Sequence, residues 1–247
     1  MIKFFLKLIL PISVRLKLRA LQFKIFGFEK DYLNLDNTQI FNKIYTEGTW
    51  GLSKSGNATS GVGSHEKKVV QPYIERVSHL LDELRSDVIV DLGCGDFNIG
   101  KNFSGYANEY IACDVSTVIL ERNKLTFSEL PNVTFKHLNL ANDDLPNGDV
   151  CFVRQVLQHL SNSDIMEFVH YLNNNKPYKH LIVSEHLPLE VGFKENLDKP
   201  SGAQSRLIFG SGVVLHKPPF DLSYLSKYDL VDVTSGGGKI KTIVYNF

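Results

Sequence analysis

The 247-residue chain has few cysteines, and neither sign of charge is in excess. Its three cysteines, Cys94, Cys113 and Cys151, have no Cys-x-x-Cys spacing, so the sequence indicates no zinc site and favours a reducing compartment. Basic and acidic residues number 27 each, which gives a net charge of zero. Because nucleic-acid binding depends on a basic surface, this balance does not favour a nucleic-acid partner.

The chain also lacks an internal repeat, a low-complexity tract and an uninterrupted apolar run long enough to span a bilayer. Residues 1–28 are rich in apolar side chains, but six Lys and Arg residues interrupt them, and the first acidic residue is Glu29. Such a segment could lie on an anionic membrane surface, or it could be a helical arm packed on the domain or on a second subunit. We therefore expect a cytoplasmic protein whose residues 1–28 contact either the inner face of a membrane or protein.

The length allows one substantial hydrophobic core, and we expect a basic arm and lid segment in residues 1–64 followed by an α/β domain in residues 65–247. Apolar residues at helical spacing predict a helix over residues 65–84. Ser116 and Ser161 are suitable N-caps for two further helices. The patterns place those helices at 116–130 and 161–173, strands at 88–92, 110–114, 133–138, 149–154 and 180–185, and a closing hairpin at 231–234 and 239–247.

A glycine-rich turn directly follows the predicted strand at residues 88–92. The turn contains Gly93 and Gly95, and an amphipathic segment that begins near Ile99 predicts a helix after it. Glycine lets a ligand approach the backbone closely and adopts positive φ at little cost. The N-terminus of the predicted helix would point its free N–H groups into the site. The pattern therefore predicts a nucleotide cradle, with an ordinary turn as the alternative.

An acidic residue at the end of the next predicted strand supports the cradle. Asp114 follows Gly93 by about 20 residues, where a doubly wound sheet places a carboxylate for the hydroxyls of a ribose. The dinucleotide fingerprint requires a third glycine at the position of Asn98, so the sequence argues against a nicotinamide cofactor.

The segment Asp91-Leu92-Gly93-Cys94-Gly95-Asp96, together with Asp114, resembles motif I and the following acidic residue of class I S-adenosylmethionine (SAM) dependent methyltransferases. Val153–Ser161 resembles the segment after strand four in the small-molecule branch, which includes phosphoethanolamine-type and surface-glycan methyltransferases. The resemblance covers about residues 40–190. It implies a Rossmann-like, seven-stranded, mostly parallel sheet with an antiparallel last strand, helices on both faces, and a helical or loop N-terminal extension.

The resemblance also implies a cofactor and the residues around it. SAM would be the methyl donor and S-adenosylhomocysteine (SAH) the product, with no metal ion, because Arg154 and Gln155 stand where metal-dependent methyltransferases place an acid. Asp114 would bind the ribose hydroxyls, and Asp91 would lie near the methionine amino group or accept loop N–H groups. Arg154 would hold the methionine portion unless it forms only a surface ion pair. The cofactor-binding candidates are Trp50, Gly51, Asp91, Gly93, Cys94, Gly95, Asp114, Val115, Asn139, Leu140, Arg154 and Gln155.

His159, just beyond the fourth predicted strand, is the candidate catalytic base. An imidazole has a pKa suited to taking a proton from an acceptor near neutral pH, although a lone histidine is often structural. The resemblance assigns His159 the catalytic role, assisted by Tyr45 from an N-terminal lid. Residues 40–64, with Tyr45 and Trp50, are typical either of a lid over a ligand or of a surface loop with anchoring aromatics.

The resemblance implies a small polar or phosphorylated acceptor that contacts Tyr45 and His159. The first choice is the amine of an amino-alcohol phosphate such as phosphoethanolamine, methylated on nitrogen for head groups or surface glycans such as capsular polysaccharide. The alternative is a hydroxyl of a sugar or nucleotide sugar, and a further alternative is a SAM-binding accessory protein without turnover. Cations suit a phosphate, so Arg206, Lys217 and Lys194 are the candidates for that contact.

Overall fold

The computed structural model describes residues 30–247 and, within the first 29 residues, only Val14, Leu18 and Leu21. The predicted contact of residues 1–28 with a membrane or with protein falls outside the described residues, apart from these three positions. Among the helices that the structure does describe, none combines the length and the apolar character that a membrane span requires.

A seven-stranded sheet with the strand order β3-β2-β1-β4-β5-β7-β6 forms the centre of the fold. Its strands are β1 (Val88–Leu92), β2 (Glu109–Asp114), β3 (Val133–His137), β4 (Val150–Arg154), β5 (His180–Pro188), β6 (Ser226–Ser235) and β7 (Gly238–Asn246). Strands β1 to β5 are parallel, whereas β7 runs antiparallel to both β5 and β6. This arrangement confirms the predicted sheet, including the closing hairpin. The chain leaves β1 toward β3 and returns to β4 beside β1, which creates the crevice where doubly wound sheets bind ligands.

Helices cover both faces of this sheet, as predicted. They are α1 (Asn37–Thr46), α2 (Val62–His65), α3 (Lys67–Leu84), α4 (Thr117–Thr126) and α5 (Asn162–Asn175). Successive strand side chains point to opposite faces, so Val90 of β1 joins a buried cluster with α1 and α5. Ile89, its neighbour, joins a second cluster with α3 and α4. Ser116 and Ser161 cap α4 and α5 through their side chains, in agreement with the sequence prediction.

The helix predicted to begin near Ile99 is wrong. Two 3₁₀ turns, Gly100–Asn102 and Ser104–Tyr106, occupy that stretch instead. The segment is rich in Gly, Asn and Ser, which are poor formers of helix interiors. Phe97 has a φ of 58° and is fully buried, and a Cβ on Gly100 would collide with its ring. The chain therefore uses the turn after β1 to bury Phe97, and the described residues between β1 and β2 contain no long helix.

Other predicted boundaries shift as well: α4 ends at Thr126 rather than at 130, and β6 begins at Ser226 rather than at 231. The helix expected over 65–84 begins at Lys67, because Glu66 has an extended backbone (φ −73°, ψ 114°) and separates α2 from α3. Strand β5 continues to Pro188, beyond the predicted end at 185, since β7 pairs with it along its full length.

The packing of α5 against the sheet gives a test of the core. Phe168 is fully buried and Met166, on the same helix, is 41% exposed. Phe168→Ala should lower the free energy of unfolding by about 3–5 kcal/mol, because it leaves a cavity in the core. Urea denaturation measures this change, and Met166→Ala, the matched control, should change stability by no more than about 1 kcal/mol. Equal effects of the two substitutions would contradict this packing.

Candidate functional site

A cavity of about 380 Å³ lies at the carboxyl ends of β1, β2 and β4. This volume is in the range of small-molecule sites. Asp91, Asp114 and Arg154 line it from the three strands, and His159 lines it from the turn after β4. The same wall contains Gly93, Cys94, Gly95, Val115, Asn139, Leu140 and Gln155, while Tyr45 and Trp50 line it from the N-terminal side. The crevice therefore brings together most of the residues that the sequence singles out.

The glycine-rich turn is held against β2 by its own backbone. The N–H groups of Gly93 and Cys94 both donate to the Cys113 carbonyl, at 2.8 Å each. Gly93 and Gly95 have φ angles of 80° and 55°, which favour glycine. A Cβ on Gly95 would collide with Ser60 of the N-terminal segment. Glycine at this position is thus required by both backbone conformation and close approach.

Asp114 lies at the end of β2, as predicted, and both of its carboxylate oxygens accept main-chain hydrogen bonds. Oδ2 accepts from the Gly95 N–H at 2.9 Å, and Oδ1 accepts from the Ser116 N–H at 2.8 Å. Burial raises the pKa of Asp114 to about 6, although these N–H donors oppose the shift. Asp114 thus shapes the cradle and also presents a carboxylate to the cavity.

Asp91, at the end of β1, is the second buried carboxyl group in the cavity wall. Its Oδ2 accepts a hydrogen bond from the Tyr110 hydroxyl at 3.0 Å. Burial, with a smaller contribution from the nearby Asp114, raises the pKa of Asp91 to about 7, while the hydrogen bond from Tyr110 opposes this shift. A carboxyl group with so high a pKa gains from a cationic ligand group, because an adjacent positive charge stabilises its ionised form.

Residues 45–65 lie across the cavity and are joined to the glycine-rich turn through Asp96. Ser60 donates its N–H to Asp96 Oδ2 at 2.9 Å, and Ser60 Oγ accepts from the Asp96 N–H at 2.8 Å. His65 Nε2 lies 2.5 Å from the same Asp96 oxygen, and Tyr45 Oη lies 3.0 Å from Ser60 Oγ. The indole N–H of Trp50 donates to the Ala203 carbonyl at 3.0 Å. This segment, called the lid below, is therefore attached to both sides of the crevice.

Arg154, predicted to hold a ligand, lines the cavity and also contacts the lid. Its Nη2 donates to the Gly63 carbonyl at 2.7 Å, and its guanidinium lies 4.7 Å from the centre of the Tyr73 ring. Its Nε is buried and has no hydrogen-bond partner in the described part of the chain. Arg154 thus fixes the lid at the cavity wall.

His159 belongs to the 3₁₀ turn Leu157–His159 and packs beside Trp50, with the two ring centres 4.8 Å apart. Its Nε2 lies 3.2 Å from the side-chain nitrogen of Gln158. Burial, followed by the positive charge of Lys199, lowers the pKa of His159 to about 3. The imidazole is therefore neutral at physiological pH and is a weaker base than the sequence predicts.

Four of the sequence candidates do not line the cavity. Gly51 lies in the lid, where its carbonyl accepts from the Thr59 N–H at 2.9 Å. Arg206 is fully buried, and its guanidinium donates to the main-chain carbonyls of Leu197 and Leu160. Lys194 and Lys217 are exposed outside the cavity wall. The proposed phosphate contacts are therefore corrected, since Arg206 is engaged within the protein and the two lysines lie elsewhere.

Sequence reasoning also missed part of the cavity wall. The missed residues include Ser60, Tyr73, Tyr110, Gln158, His186, Gln204, Ser205 and Ile208. Residues 203–208 come from the long connection between β5 and β6, which has no helical or strand periodicity that would indicate its position. Tyr110 could have been found, because the alternation of β2 places it on the same face of the sheet as Ala112.

In the part of the chain that the structure describes, no group of three or more His, Cys, Asp or Glu side chains could hold a metal ion. The cavity instead offers two carboxyl groups and a glycine cradle. These groups fit an organic ligand that carries hydroxyl groups and a positive charge.

No protein-family model and no curated protein matches this sequence. Solved structures match it at low identity. The N-methyltransferase NodS from Bradyrhizobium japonicum WM9, in complex with SAH, is 10% identical, with 85% of this chain and 99% of NodS covered and a TM-score of 0.56. Human N-acetylserotonin methyltransferase in complex with SAM is 14% identical. The match covers 95% of this chain and 66% of the human chain, with a TM-score of 0.56. The methyltransferase domain of bacterial CtHen1 is 18% identical. The match covers 72% of this chain and 98% of the CtHen1 domain, with a TM-score of 0.54. The chain therefore has the fold of class I SAM-dependent methyltransferases.

Because Asp114 has a raised pKa and lines the cavity, we expect the affinity for SAH to depend on pH. With a pKa of about 6, Asp114 is about one-quarter ionised at pH 5.5, so protonation of Asp114 alone should weaken SAH binding about fourfold relative to pH 8, and protonation of Asp91 adds to this loss. The affinity for SAH should be highest above pH 6, where Asp114 is ionised, and should fall as the pH decreases and Asp114 is protonated. Trp50 is the only tryptophan and lines the cavity, so its fluorescence can report binding.

Asp114→Asn is the matched variant for this measurement. It should bind SAH weakly and should lose the pH dependence that the carboxylate causes between pH 5.5 and 8. An unchanged affinity in Asp114→Asn would show that this carboxylate does not bind the ligand.

Proposed function

We propose that this protein is a SAM-dependent methyltransferase that acts on a small polar acceptor. One observation carries this proposal: a single cavity joins the Asp114 carboxylate and the glycine-rich turn at one end to His159 at the other. Doubly wound folds bind a ribose-containing cofactor with such a combination of a strand-end carboxylate, here Asp114, and a glycine-rich turn. An imidazole in the same cavity supplies a group that can take a proton from an acceptor.

Different residues of the cavity wall would bind different parts of the cofactor. Asp114 would accept hydrogen bonds from the ribose hydroxyls of SAM, and Asp91 would pair with the ammonium of its methionine portion. Val115, Asn139 and Leu140 line the cavity beyond the ends of β2 and β3 and would surround the adenine. Bound SAM would supply the methyl group, carried on a positively charged sulfur, and SAH would be the product.

The lid excludes water from the cavity and aligns the two reactants. Alignment of bound reactants can lower a barrier by about 7–11 kcal/mol in favourable cases. Trp50 covers the cavity next to His159, and Tyr45 lies behind Trp50, with their ring centres 5.5 Å apart. Burial raises the pKa of Tyr45 well above its usual range, so its hydroxyl stays protonated and positions Ser60 rather than acting as a base.

His159 takes the proton that the acceptor loses. Its low pKa keeps the ring neutral and ready to accept a proton, but the cation that forms is unfavourable in the buried site. Proton transfer to His159 is therefore expected to accompany the attack of the acceptor rather than precede it.

The wall near His159 favours a hydroxyl acceptor over an amino-alcohol phosphate. Arg154 is the sole Lys or Arg among the described residues of the wall, and it already binds the lid. The other polar groups at this end are neutral at physiological pH: Gln155, Gln158, His186, Gln204 and Ser205. Amide and hydroxyl groups suit the hydroxyls of a sugar, whereas a phosphate group bound at this wall would require more cations.

The cytoplasm is the proposed location of this reaction. Cys94, Cys113 and Cys151 are free and buried, as expected for a protein from a reducing compartment. Contact of residues 1–28 with the inner face of a membrane, or with a second subunit, remains part of the proposal.

The first experiment measures SAH formation from SAM with a panel of nucleotide sugars and amino-alcohol phosphates. His159→Ala should lower turnover by about 10²- to 10⁴-fold while SAH still binds. His170→Ala, which changes an exposed histidine on α5, should leave turnover unchanged.

Each outcome separates the candidate functions. Turnover with a nucleotide sugar supports the hydroxyl acceptor, and turnover with phosphoethanolamine supports the amine instead. SAH binding without turnover on any acceptor would favour an accessory protein. Equal turnover in wild type and His159→Ala would remove His159 from the mechanism.

A further inference from the structure

The turn that carries His159 is held from below by a buried carboxylate. Glu185 on β5 is 3% exposed. Its Oε1 accepts from the Leu157 N–H and its Oε2 from the Gln158 N–H, at 3.0 Å each. Both oxygens are therefore used to fix the two residues that precede His159.

Two buried cations hold the other end of the same turn. Lys199 is 3% exposed, and its ammonium donates to the His159 carbonyl at 3.0 Å. Arg206 is fully buried, and its Nη2 donates to the Leu160 carbonyl at 2.6 Å. Main-chain N–H groups of the turn thus donate to the Glu185 side chain, and its carbonyls accept from the side chains of Lys199 and Arg206.

None of these three charged side chains lines the cavity, so none of them contacts a ligand there. Burial of a charge costs free energy, and a buried charged group is often no more stabilising than an apolar one of similar size. Three buried charges on the main chain of a single turn are therefore poorly explained by stability alone. What they do provide is a fixed position for the backbone of residues 157–160.

We propose that Glu185, Lys199 and Arg206 act as positioning residues that fix the imidazole of His159 beside Trp50. This inference rests on the proposed role of His159 as the base. The three residues, called the charge frame below, act through the backbone of the turn. They require no contact with cofactor or acceptor.

The electrostatics around the turn agree with this role. Burial raises the pKa of Glu185 to about 8 against the opposing effect of the two main-chain N–H donors and Arg206, so Glu185 is mainly a carboxylate above about pH 8. The positive charge of Lys199 lowers the pKa of His159. The charge frame thus influences both the position and the basicity of the imidazole.

The test compares Glu185→Gln with Asp149→Asn in the full chain at pH 8.5. Gln keeps the shape of Glu185 but replaces one acceptor oxygen by an NH₂ group that cannot accept a hydrogen bond. Asp149 is a matched control, because its Oδ2 also accepts from two main-chain N–H groups, those of Asp87 and Val88, at 2.9 and 3.0 Å. It lies at the amino end of β1, opposite the cavity.

The direct readout is the NMR spectrum of ¹⁵N-labelled histidine side chains, in which the His159 signals are those missing from His159→Ala. We expect the His159 signals to shift in Glu185→Gln and to stay unchanged in Asp149→Asn. Unchanged His159 signals in folded Glu185→Gln would overturn the inference. This readout needs no acceptor, so it decides the inference even if the protein methylates none of the acceptors offered.

Turnover supplies the second readout. Glu185→Gln should lower kcat by about 10- to 100-fold, since small misplacements of a catalytic group have effects of this size, and the KM for SAM should stay unchanged. Asp149→Asn should retain wild-type kcat. A variant that loses stability but keeps wild-type kcat would show that Glu185 has only a structural role.

Lys199→Met tests the charge frame if Glu185→Gln does not fold. Loss of the ammonium removes the hydrogen bond to the His159 carbonyl, so the His159 NMR signals should shift. Unchanged His159 signals in folded Lys199→Met would overturn the inference.

Discussion

The two hydrogen bonds accepted by the Asp114 carboxylate organise the site. One of them fixes Gly95 in the glycine-rich turn, and the other fixes Ser116 at the start of α4. Ser116 in turn donates its hydroxyl to Asn42 of α1, at 2.9 Å. A single buried carboxylate therefore links the end of β2, the cradle and the helix that leads into the lid. Its raised pKa is the cost of placing this group where the cofactor would need it.

The lid is tied to the same cradle by polar contacts. Asp96 binds Ser60 and His65, whereas Arg154 binds Gly63. The lid also packs Tyr45, Trp50 and Ala58 against the apolar clusters of the sheet, while its residues 60–65 are held mainly by these polar contacts. Local opening of such segments requires much less free energy than global unfolding. A ligand could therefore enter by opening the lid while the sheet stays intact.

The parts of the molecule that sequence reasoning identified are those whose determinants are local. Gly93, Gly95 and Asp114 follow directly from strand ends and backbone conformation, and Ser116 and Ser161 from capping chemistry. The helix expected near Ile99 failed because tertiary packing of Phe97 and poor helix formers outweighed an apparent periodicity. The function of Arg206 could not be read from the sequence, since its partner Leu160 lies 46 residues away. The same holds for the wall at 203–208, whose position depends on the path of a long connection.

The burial of His159 indicates that the proposed reaction would depend more on the alignment of the reactants than on the basicity of the imidazole. A histidine exposed to water would be a stronger base, but it would not be held beside Trp50 in the cavity wall. The structure favours position over basicity, because burial and Lys199 both lower the pKa of the ring. A positively charged sulfur is already a good leaving group, so transfer of its methyl group depends more on alignment of the reactants than on a strong base. The wall of the cavity is consistent with that demand: it fixes backbone and rings closely and leaves a neutral imidazole to take the proton.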